Sequence, residues 1–346
     1  MTDAPDPPPP LLSARGVVKA FPVPGGAFGR PVGSVRAVDG VDLDIHAGEV
    51  VGLVGESGCG KSTLGRVLLG LLPADAGTIT FDGTDVLAAK GQDRRRLRRQ
   101  MQIVFQDPYS SLDPRATVAD SIAEGLRAHR VPARERTERV EEVLELVGLE
   151  PYHARRYPHQ FSGGQRQRIG IARALAVRPR FLLADEPVSA LDVSIRSQIL
   201  NLLRELQSQL DFTLLFVAHD LAVVEHLCDR VMVMYLGRLA EVGERDRVFD
   251  APQHPYTEAL LSAIPVADPE RPRPRNRLKG ELPSPIDPPS GCPFHPRCPL
   301  AVTGVCDVEV PTLRPSADDP EHRASCHLRT GDHQDLLPLA DAPPSA

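Results

Sequence analysis

Val51-Gly-Leu-Val-Gly-Glu-Ser-Gly-Cys-Gly-Lys-Ser-Thr63 is the stretch that decides the fold of this chain. Its first residues belong to an apolar run (Val50, Val51, Leu53, Val54) that reads as a buried strand. The run breaks at Gly55 into a glycine-rich turn, and from Thr63 apolar residues return at helical spacing: Leu64, Val67, Leu68 and Leu71. Strand, turn and helix form the context in which G-x-x-x-x-G-K-[ST] means a phosphate-binding loop; the alternative is a chance glycine-rich turn. Gly55, Gly58 and Gly60 tolerate backbone angles that a Cβ forbids, so N–H groups of the loop, those of Ser57 and Cys59 included, can turn inward on an anion. The helix N-terminus adds its partial positive charge at the same place. Lys61 is then expected to reach the outer phosphates, and the Ser62 hydroxyl to ligate magnesium.

At 346 residues the chain has room for one large domain and an appendage. Apolar content of 41 % and charged content of 25 % are those of an ordinary water-soluble protein, and a net charge of −6 argues against a general nucleic-acid binder. No apolar run approaches the roughly eighteen residues of a membrane helix. The Pro- and Asp-rich N-terminus lacks the basic and apolar regions of a signal peptide. The expected location is therefore the cytoplasm, with any membrane role supplied by partners. Six cysteines in a reducing compartment are not expected to form disulfides, yet four of them follow residue 290.

Residues 1–11 are Pro-rich and read as disordered. Strand-like apolar spacing fills 12–44, interrupted by a Gly/Pro loop at 22–33. Phe21 lies on the approach to the phosphate loop, where a flat ring could stack on an adenine or simply anchor the loop. Gly77-Thr-Ile-Thr-Phe-Asp-Gly83 reads as a strand ending in an Asp-Gly turn, and the basic run 94–99 as a solvated helix face. Met101-Gln-Ile-Val-Phe-Gln106 is a strand that delivers Gln106 at its end, ahead of a turn-rich segment at 107–113. Residues 117–148 read as wholly helical, a subdomain inserted in an α/β sheet domain. Ser162 in Phe161-Ser-Gly-Gly-Gln-Arg-Gln-Arg168 caps a further helix, and Ser162, Gly163, Gly164 and Gln165 make its start a second anion site.

Phe181-Leu-Leu-Ala-Asp185-Glu186 is an apolar strand ending in two carboxylates, where ligands gather in doubly wound sheets. Asp185 is expected to hold magnesium. Glu186, facing differently, would orient or deprotonate an attacking water; an exposed acidic turn is the alternative. Ser189-Ala-Leu-Asp192 caps the helix 193–210, and Leu214-Leu-Phe-Val-Ala-His219 is another buried strand with a histidine at its end. Residues 231–242 alternate like a hairpin closing the domain.

Together these residues resemble the ATP-binding subunits of ABC transporters. Residues 55–63 are similar to the Walker A loop, 181–186 to the Walker B strand with its catalytic Glu186, Gln106 to the Q-loop, and Ser162, Gly163, Gly164 and Gln165 to the signature motif. Ser189 and Asp192 bound a stretch similar to the D-loop, His219 to the switch histidine, and Phe21 to the aromatic A-loop position. The resemblance implies a P-loop NTPase of the ABC type: a mixed α/β sheet core over 12–250 with the helical subdomain at 107–170. It further implies ATP and Mg2+ as ligands, Ser62, Gln106 and Asp185 around the metal, and head-to-tail pairs in which each ATP lies between one chain's Walker loop and the other's signature.

Gln253-His-Pro-Tyr-Thr-Glu-Ala-Leu-Leu261 and Gly280-Glu-Leu-Pro-Ser-Pro-Ile-Asp-Pro-Pro-Ser-Gly-Cys292 resemble the oligopeptide/dipeptide importer subunits, a branch that also serves nickel importers, and most of all their second, F-type ATPase. That implies a C-terminal domain at 251–330, a disordered tail at 331–346, and a place on the cytoplasmic face of the membrane. The partners implied are a D-type paralogue or a second copy, two membrane subunits and, indirectly, an extracytoplasmic peptide-binding protein, with no nucleic acid. A soluble ABC-type ATPase acting on nucleic acid or ribosomes is the alternative, favoured only by the basic runs at 94–99 and 271–277.

Cys292, Cys298, Cys306 and Cys326 are separated by five, seven and nineteen residues. Structural zinc sites favour tighter pairs, whereas iron–sulfur clusters accept thiolates from irregular loops, often at Cys-Pro steps such as Cys292-Pro293 and Cys298-Pro299. Members of the resembled family are thought to carry a [4Fe–4S] cluster here; zinc or no metal are the alternatives. The residues from 265 to 320 are too rich in Pro and charge to build a core unaided, so a metal staple is expected to replace one. His295, His322 and His327 are expected to be solvated, and Cys59 and Cys228 to be non-ligands, one in a loop and one on a helix.

Overall fold

In the computed structural model, which describes residues 8–25, 31–107, 109, 111–264 and 280–336, the chain opens with the antiparallel pair β1 (Leu12–Pro24) and β2 (Pro31–Ile45). Strand β3 (Val50–Val54) runs through the glycine-rich turn into α1 (Lys61–Leu68). There follow β4 (Ala76–Phe81), β5 (Thr84–Asp85), α2 (Gly91–Gln100) and β6 (Met101–Val104), then the helices α3 (Val118–Ala128), α4 (Ala133–Leu146) and α5 (Gly163–Leu175). The α/β pattern resumes with β7 (Phe181–Asp185), α6 (Val193–Leu210), β8 (Thr213–Ala218) and α7 (Leu221–Leu227), and β9 (Arg230–Tyr235) and β10 (Arg238–Glu244) form a hairpin. After α8 (Arg245–Asp250) and α9 (Pro255–Ser262) the extension adds the two-residue strands β11 (Arg314–Pro315) and β12 (Arg323–Ala324).

The larger sheet has the order β11-β12-β10-β9-β3-β8-β7-β6, and the smaller one β2-β1-β4-β5. From β9 to β6 the pairing is parallel throughout. Such strands are covered on both faces, which is why β3, β7 and β8 are buried at every residue and almost entirely apolar. Their period-two alternation divides the core. Leu182, Ala184, Leu214 and Phe216 face the helices α3, α5 and α6. Phe181, Leu183, Leu215 and Val217 face the opposite way, onto Leu64, Val67 and Leu68 of α1 and onto Leu12, Val41 and Phe81 of the smaller sheet. Helix α1 is thus fixed between two sheets, and the loop preceding it inherits that rigidity.

Several expectations change. Where it is described, the Gly/Pro stretch at 22–33 is strand except at Gly25: Pro22 pairs with Ser34 and Val23 with Gly33, while 26–30 lie outside the described residues. Prolines are tolerated there because β4 stops pairing with β1 at Val18, so the ribbon beyond is a sheet edge. The helical block at 117–148 consists of two helices, α3 and α4. Arg130 takes a φ of 58° and Pro132 caps α4, so the chain reverses between them. Helix α1 stops at Leu68, leaving Leu71 exposed. Leu11, placed in the disordered leader, is buried, and its carbonyl accepts the Asp82 N–H. At the other end Gln334–Leu336 make a single helical turn within the expected tail. Residues 1–7, 271–277 and 337–346 lie outside the description. Cys228 lies just past the end of α7, as its cap.

The largest correction concerns the extension. It has a core to join: Cys292, Phe294 and Cys306 belong to the main core, beside Tyr235 and Tyr256. The rings of Tyr235, Tyr256, His254 and Phe294 pack at centroid distances of 4.6–5.7 Å. β12 also extends the main sheet by pairing with Glu241 and Val242. The three histidines are engaged rather than solvated. Buried His322 meets the Glu241 carboxylate through Nε2 at 2.7 Å, buried His327 meets the Glu309 carbonyl at 2.8 Å, and half-buried His295 the Cys292 carbonyl at 3.0 Å.

Candidate functional site

β3, β8 and β7 lie side by side in parallel, so their carboxyl ends converge on one edge of the sheet. At the end of β3 the loop turns at Gly55, Gly58 and Gly60, all with positive φ. Two of these have no alternative residue. A Cβ on Gly60 would lie 1.9 Å from the Ala37 carbonyl oxygen, and one on Gly55 would lie 2.2 Å from that of Met234. Lys61 is only 4 % exposed, its Nζ donating to the carbonyls of Gly55 at 2.9 Å and Glu56 at 3.0 Å. Burial pushes the neighbouring Cys59 thiol up, while Lys61 pulls it back. Ser57 and Thr63 complete the loop and the first turn of α1.

At the end of β7, Asp185 has no exposed surface; its Oδ1 accepts the Ser62 hydroxyl at 2.6 Å and its Oδ2 accepts from Arg66 Nη2 at 3.4 Å. A buried carboxylate beside a hydroxyl supplies two hard oxygen donors suited to Mg2+. The next residue turns away. Glu186 takes a φ of 47°, and its N–H still donates to the Val217 carbonyl at 3.0 Å, so its carboxylate faces a different direction from that of Asp185. Its Oε2 accepts from Gln106 Nε2 at 3.1 Å and lies 3.4 Å from His219 Nδ1. Ser189 donates to the Glu186 carbonyl at 3.0 Å, tying the following turn to it. Lys61, Ser62, Gln106, Asp185, Glu186 and His219 are thus brought to one place from four segments of the chain.

The other expected residues are not joined to this group. Ser162 and Gln165 form a reciprocal cap at the start of α5: Ser162 Oγ accepts the Gln165 N–H at 3.3 Å, and Gln165 Oε1 accepts the Ser162 N–H at 3.0 Å. Gly163 and Gly164 pack toward Leu191 and Ile195 at the start of α6. Among the described residues no hydrogen bond links this helix start to 55–63. Asp192 is the N-cap residue of α6, without a side-chain capping bond. Phe21 is 38 % exposed on β1, paired with Val35, with Lys19 Nζ 5.4 Å from its ring centre.

Sequence reasoning overlooked three residues that reach this site. Arg66 lies one turn along α1 from Ser62. Arg297 forks onto the Glu56 carboxylate, Nη1 to Oε2 at 2.8 Å and Nη2 to Oε1 at 3.0 Å, and Tyr256 Oη accepts the Glu56 N–H at 2.9 Å. In the string from Cys292 to Cys298 the sequence reading rests on the thiols, the Cys-Pro steps and His295, although an arginine between two cysteines was itself a signal.

Cys292, Cys298, Cys306 and Cys326 do line one cavity, together with His254, His295 and His327. It measures about 20 Å³, room for little more than a water molecule. Burial pushes the Cys292 thiol up to about 11 and the Cys298 thiol up to about 12, so both are neutral near pH 7. Among the described residues no group of three or more His, Cys, Asp or Glu side chains is arranged to hold a metal ion. The thiols are neighbours, but the expected four-thiolate cluster, or a zinc site in its place, is not preassembled. Nor is any described helix long and apolar enough to cross a membrane.

Comparison with known proteins accounts for both halves. The ABC transporter family model matches residues 38–189, and that of the oligopeptide/dipeptide transporter C-terminal region matches 240–306. The oligopeptide transport ATP-binding protein AppF of Bacillus subtilis is 51 % identical over 322 residues, covering 92 % of this chain and 97 % of that protein. A putative peptide import ATP-binding protein of Brucella ovis is 52 % identical over 306 residues, 88 % of this chain and 94 % of the relative. Among solved structures, cbiO1 of Clostridium perfringens, part of the ABC transporter complex cbiONQ, superposes with a TM-score of 0.60 at 31 % identity, over 70 % of this chain and 92 % of that one. The dimeric bacterial ABC transporter cassette MJ0796 gives 0.60 at 29 %, over 68 % and 98 %.

Proposed function

Since the chain belongs to the ATP-binding subunits of ABC transporters and hydrolyses ATP, we propose that it powers an importer of di- or oligopeptides through partner membrane subunits. The observation that carries the reading is the Glu186 carboxylate, flanked by Gln106 and His219 and one residue beyond the Asp185–Ser62 pair. In this reading Lys61 leaves the carbonyls of Gly55 and Glu56 for the outer phosphates, while loop N–H groups from Gly55, Ser57, Gly58, Cys59, Gly60, Ser62 and Thr63 line the anion. Ser62 and Asp185, with Gln106 nearby, would hold Mg2+, which when bound neutralises charge on the phosphate oxygens. Glu186 takes the proton of the attacking water, His219 orients Glu186, and Phe21 stacks on the adenine.

The far side of the triphosphate is covered by a second cassette, whose Ser162, Gly163, Gly164, Gln165 and Asp192 complete the site. The capped helix start of α5 suits that role, because it presents N–H groups to an anion that its own loop does not share. The dimeric MJ0796 cassette supports pairing of this kind. The second cassette is a D-type paralogue or another copy of this chain, beneath two membrane subunits and fed by a peptide-binding protein, which puts the chain on the cytoplasmic face of the membrane. The peptide substrate rests on the relatives and on the matched C-terminal region. A cluster on Cys292, Cys298, Cys306 and Cys326 has their shared cavity as its support; since the thiols are not preassembled, no step of hydrolysis is assigned to it. Iron and labile sulfide assayed in anaerobically purified protein test that part, and absence of both ends it.

The test of the whole is ATPase activity of the full-length chain reconstituted with its membrane subunits. The expected result is severalfold stimulation by peptide-loaded binding protein and none by polynucleotide. Stimulation by RNA or ribosomes, with none from the membrane subunits, replaces the importer by a soluble ATPase.

A further inference from the structure

Glu56 is the one acidic side chain in a loop built to receive a highly charged anion, and left alone its carboxylate would repel the triphosphate. It is not left alone. Arg297, 8 % exposed, grips both carboxylate oxygens, and it also donates to Tyr235 Oη at 3.3 Å with its guanidinium 5.9 Å from that ring's centre. Tyr256 accepts the Glu56 N–H, so that donor is pinned to α9. Three contacts from the C-terminal extension therefore hold a single residue of the phosphate loop. Arg297 lies on the short turn His295–Arg297, directly before Cys298, so its place depends on how the extension folds.

We propose that Arg297 is a positioning residue for ATP: it cancels the Glu56 charge and fixes the loop, so nucleotide affinity depends on the C-terminal extension. The proposal rests on the ATP site described above, and MgATP binding to the unmodified full-length chain tests that site separately. If the role is electrostatic, the two partners of one ion pair must behave with opposite sign. A merely structural pair weakens in the same direction whichever partner is lost.

The experiment measures MgATP dissociation constants by displacement of a fluorescent ATP analogue, alongside steady-state ATPase, for Arg297→Gln, Glu56→Gln and the double variant in the full-length chain. Arg297→Gln is expected to raise Kd and KM about tenfold with kcat within about twofold, the scale of one unpaired charge beside the ligand. Glu56→Gln is expected to leave Kd unchanged or lower it, and the double variant to return within about threefold of wild type. Weaker binding in both single variants overturns the proposal. So does an Arg297→Gln Kd within twofold of wild type, or a double variant weaker than Arg297→Gln. Should Arg297→Gln fail to fold by thermal melt, Glu56→Gln decides on its own: a raised Kd refutes the charge role, and an unchanged or lowered one upholds it. Failure of the unmodified chain to bind MgATP would instead remove the ATP site itself.

Discussion

Glu186 adopts a left-handed backbone conformation that costs a non-glycine residue roughly 1–3 kcal/mol. The surrounding ladder supports that cost, since the Glu186 N–H still bonds to Val217 and the Ser189 hydroxyl holds its carbonyl. The result is that adjacent carboxylates serve different partners, Asp185 facing Ser62 and Glu186 facing Gln106 and His219. Glu186→Gln keeps the shape and removes the proposed base. It should lower kcat by about 10²–10⁴ while MgATP binding stays within threefold, read by single-turnover hydrolysis and nucleotide binding; a kcat within tenfold of wild type rules Glu186 out as the base. Lys61, Ser62, Asp185 and Glu186 were legible in the sequence because loop and strand termini impose their spacing on the backbone itself. The Glu56–Arg297 pair was not. Its members stand 241 residues apart, and nothing local marks either as needing the other.

Among elements, the joint between the sheet and the extension is made by β10 and α9. Glu241 of β10 has no exposed surface and accepts the N–H groups of Gln253 at 2.7 Å and His254 at 2.9 Å, besides meeting His322. Glu241→Ala leaves those donors unpaired in the interior and should cost about 3–5 kcal/mol, read as a drop in the urea midpoint. His254 caps α9 by accepting the Tyr256 N–H on Nδ1 at 3.1 Å. Complete burial, with Arg329 adding to it, pulls its pKa down to about 3. The folded value lies below the unfolded one, about 6.5, so the contribution is complete above pH 6.5 and fades as acid protonates the unfolded chain first. Between pH 7 and pH 5 the loss should be about 2 kcal/mol. His254→Asn keeps a capping acceptor without the titration, and urea melts at both pH values should show its loss smaller by that amount; an equal loss in the two proteins would mean that His254 is not the group responsible. Sequence periodicity found the helices but not this joint. Pro-rich, charged segments look coreless when read alone, and only the cassette's Tyr235 and Tyr256 give Phe294 a core to enter. The block 117–148 was legible as helical, but not the reversal inside it, since its apolar spacing continues through a turn marked locally by Pro132.

For the molecule as a whole, the unresolved demand is the far side of the triphosphate. One chain collects Lys61, Ser62, Asp185 and Glu186 on one edge of the sheet, and among the described residues no hydrogen bond joins the Ser162 helix start to that group. The two proposed anion-binding ends, which do not meet within a chain, can meet across a pair, and the proposed head-to-tail pairing would close both sites at once. Two defective chains should then repair each other. Lys61→Ala removes the phosphate ligand from its own chain's loop, and Ser162→Arg fills the helix start that serves the partner. Each variant paired with itself spoils both sites. A mixed pair keeps one intact site, composed of the unaltered loop of the second chain and the unaltered helix start of the first. If the wild-type chain alone is an active homodimer, equal mixing of the two dead variants should restore up to about a quarter of its ATPase activity, half the pairs being mixed with one working site of two. Repair requires the two motifs to act in trans. A mixture as inactive as its components, beside an active wild-type homodimer, would mean that Ser162 and Lys61 serve the same chain's nucleotide.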